Sequence, residues 1–249
     1  METLSPERVG LSATVGLRIA HELQANRYCY VPGAALQQAS GISDSLVRAF
    51  AGYWDRLAQD RHMQDGGAYR FRRYGQFELH HPEGPLHVLP HAPYEQPLYI
   101  NHLNGGVPRH FEPLEPGFVG LPLFEGLLRS LGQVFDITQS RGGPWNIRVH
   151  PYRIYAEHDA PGKPTPEGLH RDGVDFIVTL FIRRQNVFGG RSEVTDTTGE
   201  LMFAHTLDTP LDLLVADDAA TLHQVTPIER VIANQIAYRD VLVIAYTRI

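Results

Sequence analysis

The stretch Pro166-Glu167-Gly168-Leu169-His170-Arg171-Asp172-Gly173 decides how the rest of the chain is read. His170 and Asp172 lie two positions apart, and on an extended backbone residues i and i+2 face the same way. One imidazole and one carboxylate therefore reach the same small target. Gly168 and Gly173 flank the pair and permit sharp turns or close backbone approach. The run that follows, Asp175-Phe176-Ile177-Val178-Thr179-Leu180-Phe181-Ile182, is β-branched and aromatic and reads as a buried strand. A polar pair at the mouth of a buried strand suits a metal, but two ligands do not hold one, so a third must come from elsewhere.

Downstream, His223 sits in Thr221-Leu222-His223-Gln224-Val225-Thr226-Pro227-Ile228, a strand that Pro227 ends. His205, after Phe203-Ala204 near a turn, competes for the role and ranks below it. His170, Asp172 and His223 make two imidazoles and one carboxylate. On one face of a metal that set leaves open positions and points to non-haem Fe(II) oxygen chemistry, although zinc accepts the same ligands. A second feature is Arg239, at the start of the apolar run Val241-Leu242-Val243-Ile244-Ala245-Tyr246. A buried guanidinium wants an anion. Either a ligand carboxylate gripped by its fork or a protein carboxylate such as Asp240 or Asp172 meets that need.

The 249 residues are enough for one all-β or mixed domain without a disulfide or structural metal. Hydrophobic residues are 43% and charged residues 20%, which argues against disorder. The net charge is -6 and Lys163 is the only lysine, so a broad basic nucleic-acid surface is disfavoured. The lone cysteine, Cys29, reads as a buried strand thiol. No leader-like N-terminus and no run of about 18 apolar residues appears, so no membrane contact and a cytoplasmic location are expected.

Along the chain, apolar spacing predicts a helix over 12–26 with Ser12 as N-cap, and a strand at Tyr28–Val31. A second helix is predicted over 43–60 and a third over 121–135. Residues 69–79 have strand composition. Residues 80–118, rich in Pro, Gly, His and Asn, read as a long loop able to cover a site. Later strands are predicted at 145–157, 174–183, 191–196, 211–216, 220–225 and 238–246. Helices early and short strands late suggest one mainly β domain, a sandwich or jelly roll with flanking helices. Its helical support is expected over about 1–65 and its jelly-roll core over about 69–249.

The order His-x-Asp-Gly, strand, Gly189-Gly190 turn, His223, then Arg239 on a late strand resembles the Fe(II)/2-oxoglutarate-dependent dioxygenases. The wording Pro164-x-Pro166-Glu167-Gly168-x-His170-Arg171-Asp172-Gly173, with Arg184-x-Asn186-Val187-x-Gly189-Gly190 and Arg239-Asp240-Val241-Leu242, is similar to the bacterial free amino-acid hydroxylases of the L-isoleucine 4-hydroxylase type. The resemblance is clearest over 145–249. It implies a double-stranded β-helix (jelly roll, cupin-like), Fe(II), 2-oxoglutarate and O2, with ascorbate as a possible reductant. It implies His170, Asp172 and His223 as iron ligands and Arg239 as the anchor of the distal 2-oxoglutarate carboxylate. Arg153 and Tyr155 share a strand face before the iron motif, a position that in similar enzymes touches cosubstrate or substrate.

A free amino acid also needs a cation for its carboxylate and an acceptor for its ammonium. Arg70, Arg72, Arg73, Tyr74, Asn101 and Arg109 are candidates for the first, Glu78 and Glu157 for the second. The expected activity is hydroxylation of an aliphatic carbon of a small free L-amino acid. The alternatives are the same chemistry on a carrier-bound or peptide residue, a non-catalytic jelly-roll binding module, and a cupin-like metalloenzyme that uses no 2-oxoglutarate.

Overall fold

The structure is a computed structural model that describes residues 9–63, 65–100, 105–157 and 160–249. Helix α1 (Ala13–Asn26) begins where Ser12 accepts a hydrogen bond from the Val15 amide, satisfying one of the orphan donors of a first turn. It runs into strand β1 (Tyr28–Val31), then short helices α2 (Gly33–Ala39) and α3 (Asp44–Ala51). The predicted 43–60 helix is therefore shorter than its apolar spacing suggests: α3 tightens into a 3-10 turn over Gly52–Arg56 and Leu57 is extended. Tertiary contacts account for the break. The Trp54 indole in that turn donates to the carbonyls of Tyr152 and Val241, at 3.0 and 3.2 Å.

Strands β2 (Ala58–Gln59), β3 (Arg70–Arg72), β4 (Gly75–Leu79) and β5 (Leu86–Val88) come next, then helices α4 (Pro116–Val119) and α5 (Pro122–Thr138). The predicted 69–79 strand is split at Arg73-Tyr74, where the Tyr74 amide leaves the ladder to donate to the Glu112 carbonyl. Strands dominate from there. They are β6 (Trp145–Tyr155), β7 (Phe176–Gln185), β8 (Val187–Gly189), β9 (Arg191–Asp196), β10 (Leu201–Thr206), β11 (Leu213–Asp217), β12 (Thr221–Val225), β13 (Ile228–Arg230) and β14 (Tyr238–Arg248). The short strands β8, β10 and β13 carry no clear periodic signal and escape the sequence reading.

The protein is mainly β, with antiparallel sheets and flanking helices. A nine-stranded sheet runs β1-β11-β7-β14-β6-β3-β2, with β4 beside β6 and β5 beside β4; β10-β9-β12 and β13-β8 form two smaller ladders. The central strands are buried on both faces, so they read as nearly continuous apolar runs. On β14, Leu242, Ile244 and Tyr246 join a core with Phe124, Leu128, Leu131 and Phe135 of α5. Each large side chain buried there contributes about 1.5–3 kcal/mol. The alternate residues of β14 point the other way: Val241 packs with Phe181, Leu214 and Val194 of β9. The space between the two sheets is the pocket described next. No helix among the described residues is long and apolar enough to cross a membrane.

Candidate active site

His170 lies in the connection before β7 and is tied to β12 by a reciprocal backbone pair, His170 N to His223 O at 3.1 Å and His223 N to His170 O at 2.8 Å. The bridge sets the two imidazoles side by side, with ring centroids 4.4 Å apart. Asp172 Oδ2 is 3.4 Å from His223 Nε2. One ligand atom from each of His170, Asp172 and His223 lies within 4.8 Å of the others. Gly168, at φ +77°, turns the chain so that its carbonyl lies 2.8 Å from His170 Nδ1. A proton on Nδ1 satisfies that carbonyl and leaves Nε2 for a metal.

Two further residues hold Asp172. Buried Asp218 accepts the amides of Asp172, Gly173 and Val174, at 3.0, 2.7 and 3.0 Å, which shapes the loop. Its Oδ1 is also 3.8 Å from His223 Nδ1, so a carboxylate stands behind the outer nitrogen of that ligand. From the 80–118 segment, Gln96 donates to Asp172 Oδ1 at 3.1 Å and accepts from Arg109 at 2.8 Å.

Burial raises the Asp172 carboxyl, but the hydrogen bond and charge of His223, with His170 and Gln96, more than offset this and hold it at about 2. Burial opposes charge on His223, yet Asp172 and Asp218 raise its pKa overall. The trio is thus primed for a cation.

Arg239 is 1% exposed and lines the same pocket. Its Nε and Nη2 have no hydrogen-bond partner among the described residues. Burial, with the neighbouring charge of Arg184, lowers its pKa to about 10, so it remains a cation at neutral pH. Gly190 makes room for it: a Cβ there would stand 3.2 Å from Arg239 Cδ and 2.9 Å from Ile228 Cγ2, and φ is +71°. The donor trio and a buried, unpaired guanidinium in one pocket fit a divalent metal beside a ligand with a free carboxylate.

Strand parity sorts the other sequence candidates. Arg239 is in register with Ile154 on β6, and Ile154 with Arg70 on β3, so Tyr152, Ile154, Arg70 and Arg72 face the pocket. Arg153 and Tyr155 share a face, as expected, but it is the opposite one. Arg153 is bound to Asp240 by two contacts of 2.7 Å and to Asp55 at 3.0 Å, while Tyr155 packs edge-on against Phe71. Neither lines the pocket. Arg109 does line it, with Arg70 and Arg72. Tyr74 is buried beside the site and stacks on His150. Asn101 lies outside the described residues. Arg73 turns outward toward Glu115, Glu78 pairs with His80 on the surface, and Glu157 is exposed. His205 bonds the Tyr30 hydroxyl, away from the trio.

Sequence reasoning missed Tyr94, Gln96 and Asp218. Tyr94 and Gln96 sit in an irregular segment without periodicity. Asp218 was visible only as a turn residue.

A family model for 2OG-Fe dioxygenases matches residues 51–245. A curated L-isoleucine-4-hydroxylase from Bacillus thuringiensis is 22% identical over 91% of this chain and 93% of its own length. Among solved structures, a bsmA homologue from Methylobium petroleophilum is 38% identical with a TM-score of 0.85, covering 94% of this chain and 93% of that one. IDO from Bacillus thuringiensis has a TM-score of 0.77 at 20% identity, covering 94% and 99%, a likeness of fold.

Proposed function

Because this chain belongs to the 2OG-Fe dioxygenases, an enzyme family that works with Fe(II), 2-oxoglutarate and O2, we propose that it hydroxylates an aliphatic carbon of a free L-amino acid. We read the chain as one dioxygenase domain whose facing sheets are a double-stranded β-helix. His170, Asp172 and His223 hold the iron, and Arg239 grips the distal carboxylate of 2-oxoglutarate. Bound together, iron, 2-oxoglutarate and O2 supply an oxidant able to attack an unactivated C–H bond, with succinate and CO2 as the other products. The protein's own part is position and water exclusion.

One observation carries the substrate class. The pocket has a second cationic wall, Arg70, Arg72 and Arg109, of which Arg70 and Arg72 on β3 are set two strands from Arg239 across β6, roughly 10 Å by strand spacing. Among the described residues Asp60 is the only carboxylate bonded to Arg70 and Arg72, so the wall keeps an excess of positive charge for a substrate carboxylate. Tyr94 and Tyr152 lie against these guanidinium groups and shield them from water. The L-isoleucine-4-hydroxylase relative supports the same class.

The test is mass spectrometry of each aliphatic L-amino acid after incubation with iron-loaded enzyme, 2-oxoglutarate, ascorbate and air. The N-acetylated and C-amidated forms are run beside them. A gain of one oxygen on a free amino acid alone is the expected result. Oxidation of only the blocked forms would move the substrate to a peptide or carrier-bound residue.

A further inference from the structure

Glu167 has no role in holding the iron trio or 2-oxoglutarate as described above, yet it lines the pocket. Its Oε2 is buried without a hydrogen-bond partner among the described residues. Its Oε1 is 3.6 Å from His170 Nε2, the nitrogen left for the metal once Nδ1 faces the Gly168 carbonyl. With its lone pair turned to a metal, that nitrogen has no proton to donate to Glu167. A carboxylate oxygen buried in a pocket without a hydrogen-bond donor is costly. Across from it, Arg70 is close enough for its positive charge to be stabilised by Glu167, yet Arg70 is bound to Asp60 at 2.8 Å. The pocket therefore presents a carboxylate oxygen with no donor, beside a cationic wall.

We propose that Glu167 accepts the substrate ammonium and so makes the site select free α-amino acids over their deaminated and N-acylated counterparts. This rests on the free amino-acid reading and deepens it. An α-amino acid carries its two charges on one carbon, and the Glu167 and Arg70/Arg72/Arg109 sides of the pocket meet them separately. The 2-hydroxy acid of the same skeleton keeps the carboxylate but offers no cation. An N-acyl amide offers one weak donor and added bulk. Either leaves the buried Glu167 oxygen unsatisfied, and discrimination by unsatisfied buried polar groups is strong.

The experiment is anaerobic titration calorimetry on the iron- and 2-oxoglutarate-loaded protein. The probes are L-isoleucine, L-leucine, L-valine and L-methionine, each beside its 2-hydroxy acid and its N-acetyl derivative. Wild-type protein should bind at least one amino acid roughly 10- to 100-fold more tightly than the matching hydroxy acid, the value of a charge-assisted bond. Glu167→Gln should collapse that ratio toward one by weakening the amino acid alone, and Glu167→Asp should restore part of it. Iron and 2-oxoglutarate affinities, measured on the same variants, should hold within about threefold. A wild-type ratio near one, or a Glu167→Gln protein that keeps the full ratio, overturns the assignment while leaving the free amino-acid reading in place. Loss of iron binding in Glu167→Gln with the ratio intact would make Glu167 a support of the metal instead. Wild-type protein that binds none of the amino acids removes both readings.

Discussion

Arg239 and Arg153 sit on neighbouring strands one register step apart and have opposite fates. Arg153 meets Asp240 and Asp55, and its pKa rises because those carboxylates outweigh its burial. Among the described residues Arg239 has no carboxylate bonded to it, and its pKa falls. Replacement should separate them. Arg239→Met should leave the unliganded protein as stable or more so, while 2-oxoglutarate affinity falls by about 2–5 kcal/mol, the cost of removing one partner of a buried ion pair. Arg153→Met should leave that affinity nearly unchanged but destabilise the fold by about 3 kcal/mol, since Arg183 still reaches Asp240 and limits the loss. Chemical denaturation and calorimetry on both variants check this.

The ligands carry a pH signature of their own. Iron must displace the proton on His223, whose pKa Asp172 and Asp218 raise above the ordinary histidine range against the opposing effect of burial. As pH falls through that raised value the proton wins, so iron affinity should drop on the acid side. Asp172, ionised down to about 2, contributes nothing to the drop. In Asp218→Asn the fall should move to lower pH, because one of the charges that raises His223 is gone, and affinity at neutral pH should decrease about 10- to 100-fold. Iron titrations across pH read both effects. The two imidazoles, the carboxylate and Arg239 were legible in the sequence because each is a chemical type set against a hydrophobic strand. Asp218 was not, since its role is to accept three amides that only the folded loop brings to it.

At the scale of elements, the period of two along β6 and β14 decides which side chains meet a ligand. Sequence reading paired Arg153 with Tyr155 correctly but had no means of choosing the face, because β6 is buried on both sides and lacks polar alternation. The Asp240/Val241 bulge in the β14–β7 pairing hid the register further. The Gly189-Gly190 turn has a clear prediction. Gly190→Ala forces an L residue into φ +71° and brings its Cβ against Arg239 and Ile228. The expected result is lower stability together with weaker 2-oxoglutarate binding, and unchanged iron affinity. Equal loss of both affinities would show that the turn supports the whole site rather than the Arg239 side chain. Gln96 and Arg109 come from a segment between Leu86–Val88 and Pro116–Val119 whose described residues form no helix or strand of their own, where composition gives only the expectation of a cover.

Across the whole molecule, the helices and the site use opposite faces of the same large sheet. The apolar half of β14 is committed to the helix core, which fixes Arg239, Val241 and Val243 on the pocket side. This division was readable as mainly β with flanking helices. The extra short strands were not, because three-residue ladders such as β8 and β13 are set by their partners. The most direct test of the account is to run the reaction under ¹⁸O₂ with the best aliphatic L-amino acid and follow both products by mass. The account predicts one labelled oxygen in succinate and one in the amino acid, in equal amounts, with both lost in His170→Ala. Labelled succinate with no labelled product from any free amino acid would contradict the proposed substrate class, and no succinate from iron-loaded, 2-oxoglutarate-bound protein would contradict the assigned site.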